Sequence, residues 1–234
     1  MASHRATVEA KVWGEYALFT RPDLSVERVS YLVMTPSAAR GVLEAIFWQP
    51  EFRYEVRRIG VLKLGTQVTI LRNELSSRQG ANPIVVEQAR QQRMSLVLKD
   101  VAYRIEADMA LRPWVTDPIY KYSDQFRRRL ENGRCFHRPY LGTREFAACF
   151  GPPTGDDIPD PGLNLDLGLI LLDIAYVEDA SRPEMEFVRH GRDGPRRVQG
   201  YAHALFFPAR IEAGWLAVPT ERYDELRRLE REHV

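Results

Sequence analysis

Three stretches of the chain alternate apolar and polar residues with a period of two, and this pattern constrains the fold more than any other feature of the sequence. They cover residues 7–13, 52–62 and 95–111. Successive side chains of a β-strand point to opposite faces, so the alternation predicts strands with one buried face. The third stretch is interrupted at Lys99-Asp100, where we expect the strand to pause.

Two further stretches have the apolar spacing of helices. The first begins at Thr35-Pro36-Ser37, because a proline is favoured in the first turn of a helix, and it ends before Pro50. Its apolar residues are Ala39, Val42, Leu43 and Ile46. The second is predicted to begin at Asp117-Pro118 and to stop at Gly133. Its apolar residues are Tyr120, Phe126 and Leu130.

The order of these elements suggests the fold class. Residues 67–71 are a candidate partner strand, and residues 76–83 are predicted to form a polar loop. The succession strand, helix, strand, strand, helix, strand is typical of a ferredoxin-like or RNA-recognition-motif fold. We therefore predict an α+β protein with such a domain at its N-terminal end.

A change in composition divides the chain after residue 150. Residues 151–166 contain four prolines, three glycines and four aspartates, which is typical of a linker. We therefore predict a first domain over residues 1–150 and a small antiparallel β domain over residues 167–234. Short strands are expected in this second domain at residues 167–177, 185–188, 199–207 and 215–218. Residues 189–197 are predicted to form a turn, and Pro219 to begin a charged terminal helix.

The formal net charge of +1 hides an uneven distribution along the chain. Residues 51–150 contain 18 basic and 11 acidic side chains, whereas residues 151–234 contain 10 and 16. Of the 33 basic residues, 29 are arginine, whose planar guanidinium matches the geometry of phosphate. A basic middle and an acidic C-terminal part predict a polyanion as one partner and a protein as another.

Several function classes lack their usual sequence signals. No run of about 20 apolar residues could form a membrane helix, and the first residues lack the apolar stretch of a signal peptide. We therefore expect a cytoplasmic protein with no membrane partner. Glycine motifs for nucleotides, a serine-hydrolase elbow and a zinc-protease motif do not occur. The histidines are dispersed and the two cysteines lack CxxC spacing, so the sequence indicates neither a metal site nor a cofactor.

Four segments, in this order, resemble one protein family. They are residues 12–22 (VWGEYALFTRP), 27–31 (ERVSY), 35–46 (TPSAARGVLEAI) and 135–146 (CFHRPYLGTREF). Together they resemble the CRISPR-associated Cas5 family, subtype d (Dvulg), of type I-C systems, whose members are precursor-RNA-processing subunits of the RAMP superfamily. The resemblance extends over residues 8–150 and more loosely over the remainder.

The resemblance implies a ferredoxin-like RNA-binding domain followed by a small β domain. It also implies metal-independent cleavage of CRISPR precursor RNA at the repeat hairpin, by attack of an RNA 2′-hydroxyl on the adjacent phosphate. This reaction leaves a cyclic phosphate and a 5′-hydroxyl, and it needs a base, a cation and an acid but no cofactor. Members of the family then stay on the RNA as a subunit of the type I-C interference complex.

The resemblance assigns the catalytic positions to Phe47 and to the pair Lys121-Tyr122, where the family has an aromatic residue or His and a Lys-His pair. Only Lys121 keeps the expected type. Phe47 cannot exchange a proton, and Tyr122 is a poor general base because the pKa of tyrosine is about 10. Tyr120 and His137 are candidate substitutes. The protein is therefore either an endoribonuclease that relies on Lys121 or a non-cutting RNA-binding subunit that caps the 5′ handle.

The basic runs and the resembling segments supply nine candidate contacts to the repeat RNA. They are Arg28, Arg40, Arg57, Arg58, Arg127, Arg128, Arg134, Arg138 and Arg144. Arg57 and Arg58 are expected to point to opposite faces of their strand, so that only one binds. Among the consecutive arginines 127–129, at most two can face one phosphate track. Non-specific binding of double-stranded DNA is a further expectation. Three glycines are expected to serve the backbone rather than a ligand, namely Gly14, Gly41 and Gly142.

Overall fold

The computed structural model describes residues 4–24, 27–76, 80 and 83–230, and over these residues it contains ten strands and four helices. The N-terminal part contains β1 (Arg5–Ala17), β2 (Arg28–Val29), α1 (Pro36–Ile46), β3 (Phe52–Lys63), β4 (Thr66–Leu75), α2 (Val86–Ala89), β5 (Arg90–Leu111), α3 (Tyr120–Glu131) and β6 (Cys149–Gly151). The C-terminal part contains β7 (Leu165–Glu178), β8 (Met185–Gly191), β9 (Gly194–Glu212), β10 (Trp215–Ala217) and α4 (Arg222–Leu229). The predicted α+β class is confirmed.

All ten strands join one sheet, whose central order is β6-β1-β5-β3-β10-β9-β7. β2 and β4 pair with β5, and β8 pairs with β9. Every pairing is antiparallel except that of β2 with β5. Because β10 pairs with β3, the strands of the C-terminal part extend the sheet that the N-terminal strands form.

The three alternating stretches form β1, β3 and β5, as predicted. In β1 the apolar face is buried through Val8, Ala10 and Val12. The expected pause in β5 does not occur, since the strand continues for 22 residues through Lys99-Asp100. Asp100 instead adopts a left-handed backbone conformation (φ 57°), which aspartate tolerates better than most residues.

Both predicted helices are present. Thr35 caps α1 by accepting a hydrogen bond from the Ala38 amide at 3.2 Å, and the predicted apolar residues of α1 are buried. α3 begins later than predicted because Asp117-Pro118 lies in the preceding turn, where the Pro118 carbonyl accepts from the Lys121 amide at 3.1 Å. α1 packs on β3 and β7, and α3 packs on β1. None of the helices described here is long and apolar enough to span a membrane.

The turn predicted at residues 189–197 is wrong. β8 and β9 continue until Gly191 pairs with Gly194, so that only residues 192 and 193 form the turn. The side chains of β8 and of the first four residues of β9 are exposed or half-exposed. This hairpin therefore lacks the alternation of buried apolar and exposed polar residues that is seen in β1. The predicted polar loop at residues 76–83 lies mostly outside the described residues.

The Pro- and Gly-rich segment and the terminal helix both pack against the sheet. Asp157 pairs with Lys11 of β1 at 2.5 Å, and the Leu163 carbonyl accepts from the Gly214 amide at 2.9 Å. In α4, the buried Tyr223 hydroxyl accepts a hydrogen bond from the amide of Val56 at 3.0 Å. The division into domains over residues 1–150 and 167–234 stays a prediction, and a single sheet crosses it.

Candidate active site and nucleic-acid interface

The start of α3 brings together Asp117, Lys121 and Tyr122. Oδ2 of Asp117 accepts a hydrogen bond from Nζ of Lys121 at 2.6 Å and another from the hydroxyl of Tyr122 at 3.1 Å. The Lys121 ammonium also lies 5.4 Å from the centre of the Tyr122 ring. From the sequence, Asp117 was predicted only to begin a helix. The signal that identifies its role is the i,i+4 spacing of Asp117 and Lys121.

The protonation states of this group follow from its contacts. Burial, the hydrogen bond to Asp117 and the charge of Glu51 raise the pKa of Tyr122 to about 12. The hydrogen bonds from Lys121 and Tyr122 lower the pKa of Asp117. At neutral pH the Tyr122 phenol is therefore protonated: it donates a hydrogen bond and cannot act as a general base. The ammonium of Lys121 uses one of its three donors on Asp117 and keeps two for a ligand.

Phe47 lies in the core at the end of α1. It is 1% exposed, and its ring is 5.5 Å from that of Phe52, which in turn lies 5.5 Å from the ring of Tyr122. The Phe47 carbonyl accepts a hydrogen bond from the Tyr54 hydroxyl at 2.8 Å. Phe47 is thus connected to the start of α3 through one aromatic ring, and it supports that region by packing.

His137 and Tyr120 are both on the surface. The His137 amide donates to the Ala45 carbonyl at 3.1 Å, which anchors the residue at the end of α1. Its exposed imidazole lies 5.7 Å from the ring of Phe136 and makes no hydrogen bond within the described part of the chain. Tyr120, the first residue of α3, is 64% exposed.

Five of the nine candidate arginines are paired with acids. Two of the pairs join Arg127 to Asp124 at 2.9 Å and Arg40 to Asp173 at 2.8 Å. The pair from Arg28 to Glu74 is longer, at 3.4 Å. The remaining pairs join Arg58 to Glu106 at 2.6 Å and Arg57 to Asp108 at 3.7 Å.

The prediction that Arg57 and Arg58 point to opposite faces is wrong. The register between β3 and β5 shifts between Val56 and Arg58, which leaves Arg57 in a bulge. Glu106 and Asp108 are two residues apart on β5 and therefore share a face. Both arginines reach that face because the bulge reverses the alternation of β3.

The other four candidates form no ion pair with any described residue. These are Arg128, Arg134, Arg138 and Arg144, and all of them are exposed. They follow one another along the end of α3 and the segment after it. Arg128 and Arg134 line a shared pocket that contains no acidic side chain, so this part of the described molecule is suited to bind a polyanion.

A cleft of about 930 Å³ lies between the end of α1, the end of β5 and the β8–β9 hairpin. Trp48 lines it, with its ring centre 5.2 Å from that of His190. Arg112 also lines the cleft, where burial and the charge of Arg53 lower its pKa to about 10. Phe52, which contacts Tyr122, forms part of the wall, so the cleft adjoins the Lys121 group. The residues of this cleft come from distant parts of the chain, so the cleft could not be predicted from local sequence patterns.

The fold and the basic surface define an α+β protein suited to bind a polyanion, and comparison with known proteins then identifies its family. The Cas5d family, described as CRISPR-associated protein (Cas_Cas5), matches residues 7–219. A curated relative from Thermus thermophilus, named CRISPR pre-crRNA endoribonuclease Cas5d, is 65% identical over 98% of both chains. A relative of the same name from Mannheimia succiniciproducens is 35% identical over 94% of this chain and 98% of its own. The chain therefore belongs to the Cas5d family of CRISPR-associated proteins.

Two solved structures share the fold. A crystal structure of a CRISPR-associated protein matches with a TM-score of 0.62 at 21% identity, covering 93% of this chain and 94% of the other. A functionally uncharacterized protein from Streptococcus mutans matches with a TM-score of 0.60 at 20% identity, covering 93% and 95%.

Proposed function

We propose that the protein is an endoribonuclease that cleaves CRISPR precursor RNA at the repeat hairpin and stays bound to the product as a subunit of the type I-C interference complex. The observation that carries the proposal is the 65% identity, over 98% of both chains, with a relative named CRISPR pre-crRNA endoribonuclease Cas5d. The exposed Lys121 ammonium, with donors left for a ligand, supports it.

In the proposed reaction the 2′-oxygen attacks the adjacent phosphorus, and the bond from phosphorus to the 5′-oxygen breaks. The proton of the 2′-hydroxyl goes to a base, and the leaving 5′-oxygen takes a proton from an acid. Lys121 stabilises the charge that develops on the phosphorane oxygens, and Asp117 holds Lys121 in place. Phe47 has no proton to exchange and Tyr122 stays protonated, which leaves proton transfer to His137, Tyr120 or water. No metal ion or cofactor takes part in this scheme.

The second candidate function is an RNA-binding subunit that caps the 5′ handle without cutting. The protonated Tyr122 and the buried Phe47 favour it, because neither can act as a base at a position where the family has catalytic residues. The two candidates share the RNA partner and differ only in the chemical step.

We also propose a ferredoxin-like domain for residues 1–150 and a small β domain for residues 167–234. The strand order β6-β1-β5-β3, with α1 after β1 and α3 after β5, supports the first. In this arrangement the repeat RNA lies across the arginines that follow α3. The acidic surplus of residues 151–234 suits another subunit of the complex, and the same arginines would bind double-stranded DNA without regard to sequence.

The test is incubation of the purified protein with end-labelled cognate repeat RNA in EDTA, with separate readouts for cleavage and binding. Lys63→Ala is a matched control for Lys121→Ala, because Lys63 pairs with Asp100 at 3.0 Å and is 58% exposed against 56% for Lys121. The wild type and Lys63→Ala should cut the RNA once. Lys121→Ala should bind it and cut about 100-fold more slowly, as expected when one group that stabilises transition-state charge is lost.

Two results would contradict the proposal. If the wild type binds the repeat RNA and cuts none of it, the protein is the handle-binding subunit. If it cuts only after a divalent metal ion is added, the metal-independent scheme is wrong.

A further inference from the structure

The segment after α3 is fixed by main-chain hydrogen bonds and leaves its side chains exposed. The Arg134 amide donates to the Arg129 carbonyl at 2.8 Å, and the Phe136 amide donates to the Ala45 carbonyl at 2.8 Å. The backbone is thus tied to the ends of both α3 and α1. Phe136 is nevertheless 71% exposed. A large aromatic ring that a fixed backbone holds at the surface can stack on another planar ring, such as a nucleic-acid base.

A basic pocket of about 640 Å³ is lined in part by Arg134 and Cys135, the two residues that precede Phe136. Its lining consists of Gln125, Arg128, Arg129, Asn132, Arg134 and Cys135, with no acidic residue among them. The three guanidinium groups form no ion pair with a described residue, whereas Arg127, on the same helix, pairs with Asp124 at 2.9 Å. We name this set of three arginines, Arg128, Arg129 and Arg134, the arginine pocket.

The arginine pocket has the chemistry of a phosphate site. Three neighbouring positive charges repel one another, and an anion between them removes that repulsion. Guanidinium groups bind phosphate through paired hydrogen bonds. The partial negative charge at the C-terminal end of α3 stabilises the arginines there, so attraction of a phosphate to this position comes from the three guanidinium groups and not from the helix.

We infer that the arginine pocket and Phe136 together bind one nucleotide of single-stranded RNA, with its phosphate in the pocket and its base stacked on the Phe136 ring. This inference rests on the proposed function for the identity of the nucleic acid. Cys135 lines the pocket and Phe136 follows it directly, so the two parts of the site are adjacent. Stacking accepts any base, and the site therefore fixes the path of the strand rather than reading its sequence.

The nucleotide lies near the proposed chemistry. Tyr122 and Arg129 are seven residues apart on α3, which is about 10 Å along the helix axis. The guanidinium of Arg129 also lies 5.3 Å from the ring of Phe47. The site therefore holds the strand within a few nucleotides of the phosphate that Lys121 contacts.

The test measures binding of fluorescently labelled cognate repeat RNA by anisotropy at several salt concentrations. The RNA lacks the 2′-hydroxyl at the cut, or is unmodified if the wild type makes no cut. Phe136→Ala and Phe136→Leu should weaken binding by about 5- to 100-fold, and Phe136→Trp should not, because a planar ring is required for stacking. Changing the three arginines to alanine together should reduce the slope of log affinity against log salt by about 0.7, the value for one neutralised phosphate of a single strand, whereas Arg127→Ala should leave the slope unchanged.

An abasic scan of the RNA then locates the nucleotide. At one position, removal of the base should weaken binding to the wild type and leave Phe136→Ala unaffected. The inference is overturned if the Phe136 variants bind every RNA as the wild type does. It is also overturned if the loss of affinity from removing the base and the loss from Phe136→Ala add up at every position of the RNA. It is also overturned if these variants lose a protein subunit of the complex while their affinity for RNA is unchanged.

These outcomes separate the inference from the proposed function. If RNA binding depends on Phe136 and no RNA is cleaved, the nucleotide site is supported and the proposed endoribonuclease activity is wrong. Normal cleavage and normal binding by the Phe136 and arginine variants support the endoribonuclease and remove the nucleotide site. A wild-type protein that binds no repeat RNA removes both.

Discussion

Arg40 on α1 and Asp173 on β7 form an ion pair between elements that are 133 residues apart in the sequence, with two parallel hydrogen bonds of 2.8 Å. The Asp173 side chain is 2% exposed, and Arg40 also donates to Glu44 at 2.7 Å. The guanidinium is thus committed to two carboxylates. In this structure it joins the N-terminal helix to the C-terminal part of the sheet.

The first prediction concerns this pair. Arg40→Met should lower the free energy of unfolding by about 3 kcal/mol, because it leaves the buried Asp173 carboxylate without its counter-charge. The measurement is urea unfolding at neutral pH. Arg40→Met combined with Asp173→Leu should recover most of the loss, since it removes both charges.

Arg21→Met is the control for the Arg40 variant. Arg21 pairs with Asp23 at 2.9 Å on the surface, and losing such a pair should cost less than about 1 kcal/mol. Affinity for the repeat RNA should not change in folded Arg40→Met. A variant of unchanged stability and reduced RNA affinity would show that Arg40 contacts the RNA instead.

The second prediction separates positioning from binding at Asp117. Asp117→Asn should slow cleavage, because the charge that holds Lys121 is lost, and should bind uncleaved RNA at least as tightly, because a negative charge is removed from the RNA surface. The matched control is Asp124→Asn, an aspartate on α3 that is 53% exposed against 47% for Asp117. It should share the gain in binding and keep the cleavage rate. Equal rates for the two variants would remove the positioning role of Asp117.

The third prediction follows from the raised pKa of Tyr122. The pKa is about 12 in the folded protein and about 10 in an unfolded chain, so the group's contribution to stability is complete below pH 10 and is lost as the pH rises toward 12. The free energy of unfolding of the wild type should therefore fall relative to that of Tyr122→Phe over this range. Other buried tyrosines are present in both proteins and cancel in the comparison.

The cleavage profile gives an independent check on Tyr122. Because the phenol stays protonated, wild type and Tyr122→Phe should show the same dependence of rate on pH between about 6 and 9. A rising limb in this range that Tyr122→Phe lacks would identify Tyr122 as a base.

The sequence predicted the parts of the fold that depend on local periodicity. The alternation in β1, β3 and β5 and the spacing of α1 arise from burial on one face, which a single stretch of sequence records. The turn of the β8–β9 hairpin was predicted too long, because the ends of these strands are exposed and do not alternate apolar and polar residues. The bulge at Arg57 was missed because register depends on the partner strand.

The same distinction applies to the candidate site. Lys121 and Tyr122 are neighbours in sequence, and the structure places them on one carboxylate. The sequence could not show which arginines are paired with acids, since Asp173 and Glu106, which hold Arg40 and Arg58, are 133 and 48 residues away along the chain. The exposed Phe136 could not be recognised either, because its exposure depends on main-chain bonds to α1.

The last prediction compares two glycines from the segments that resemble the family. Gly142 has a φ of 88°, and a Cβ there would lie 2.0 Å from the main-chain oxygen of Leu18. Gly41 lies inside α1, and a Cβ there would meet no atom within 4 Å. Gly142→Ala should therefore destabilise the protein by at least about 3 kcal/mol, because both the conformation and the backbone contact are lost.

Gly41→Ala should instead stabilise it by about 0.5–1 kcal/mol, because alanine is the better helix residue. Urea unfolding of the two variants measures both effects. Gly142 follows the segment that carries Phe136 and His137, so Gly142→Ala should also weaken RNA binding, whereas Gly41→Ala should leave it unchanged. If the two variants have equal stability, the backbone role of Gly142 is wrong, and the conformation of the RNA-binding segment must be maintained by other contacts.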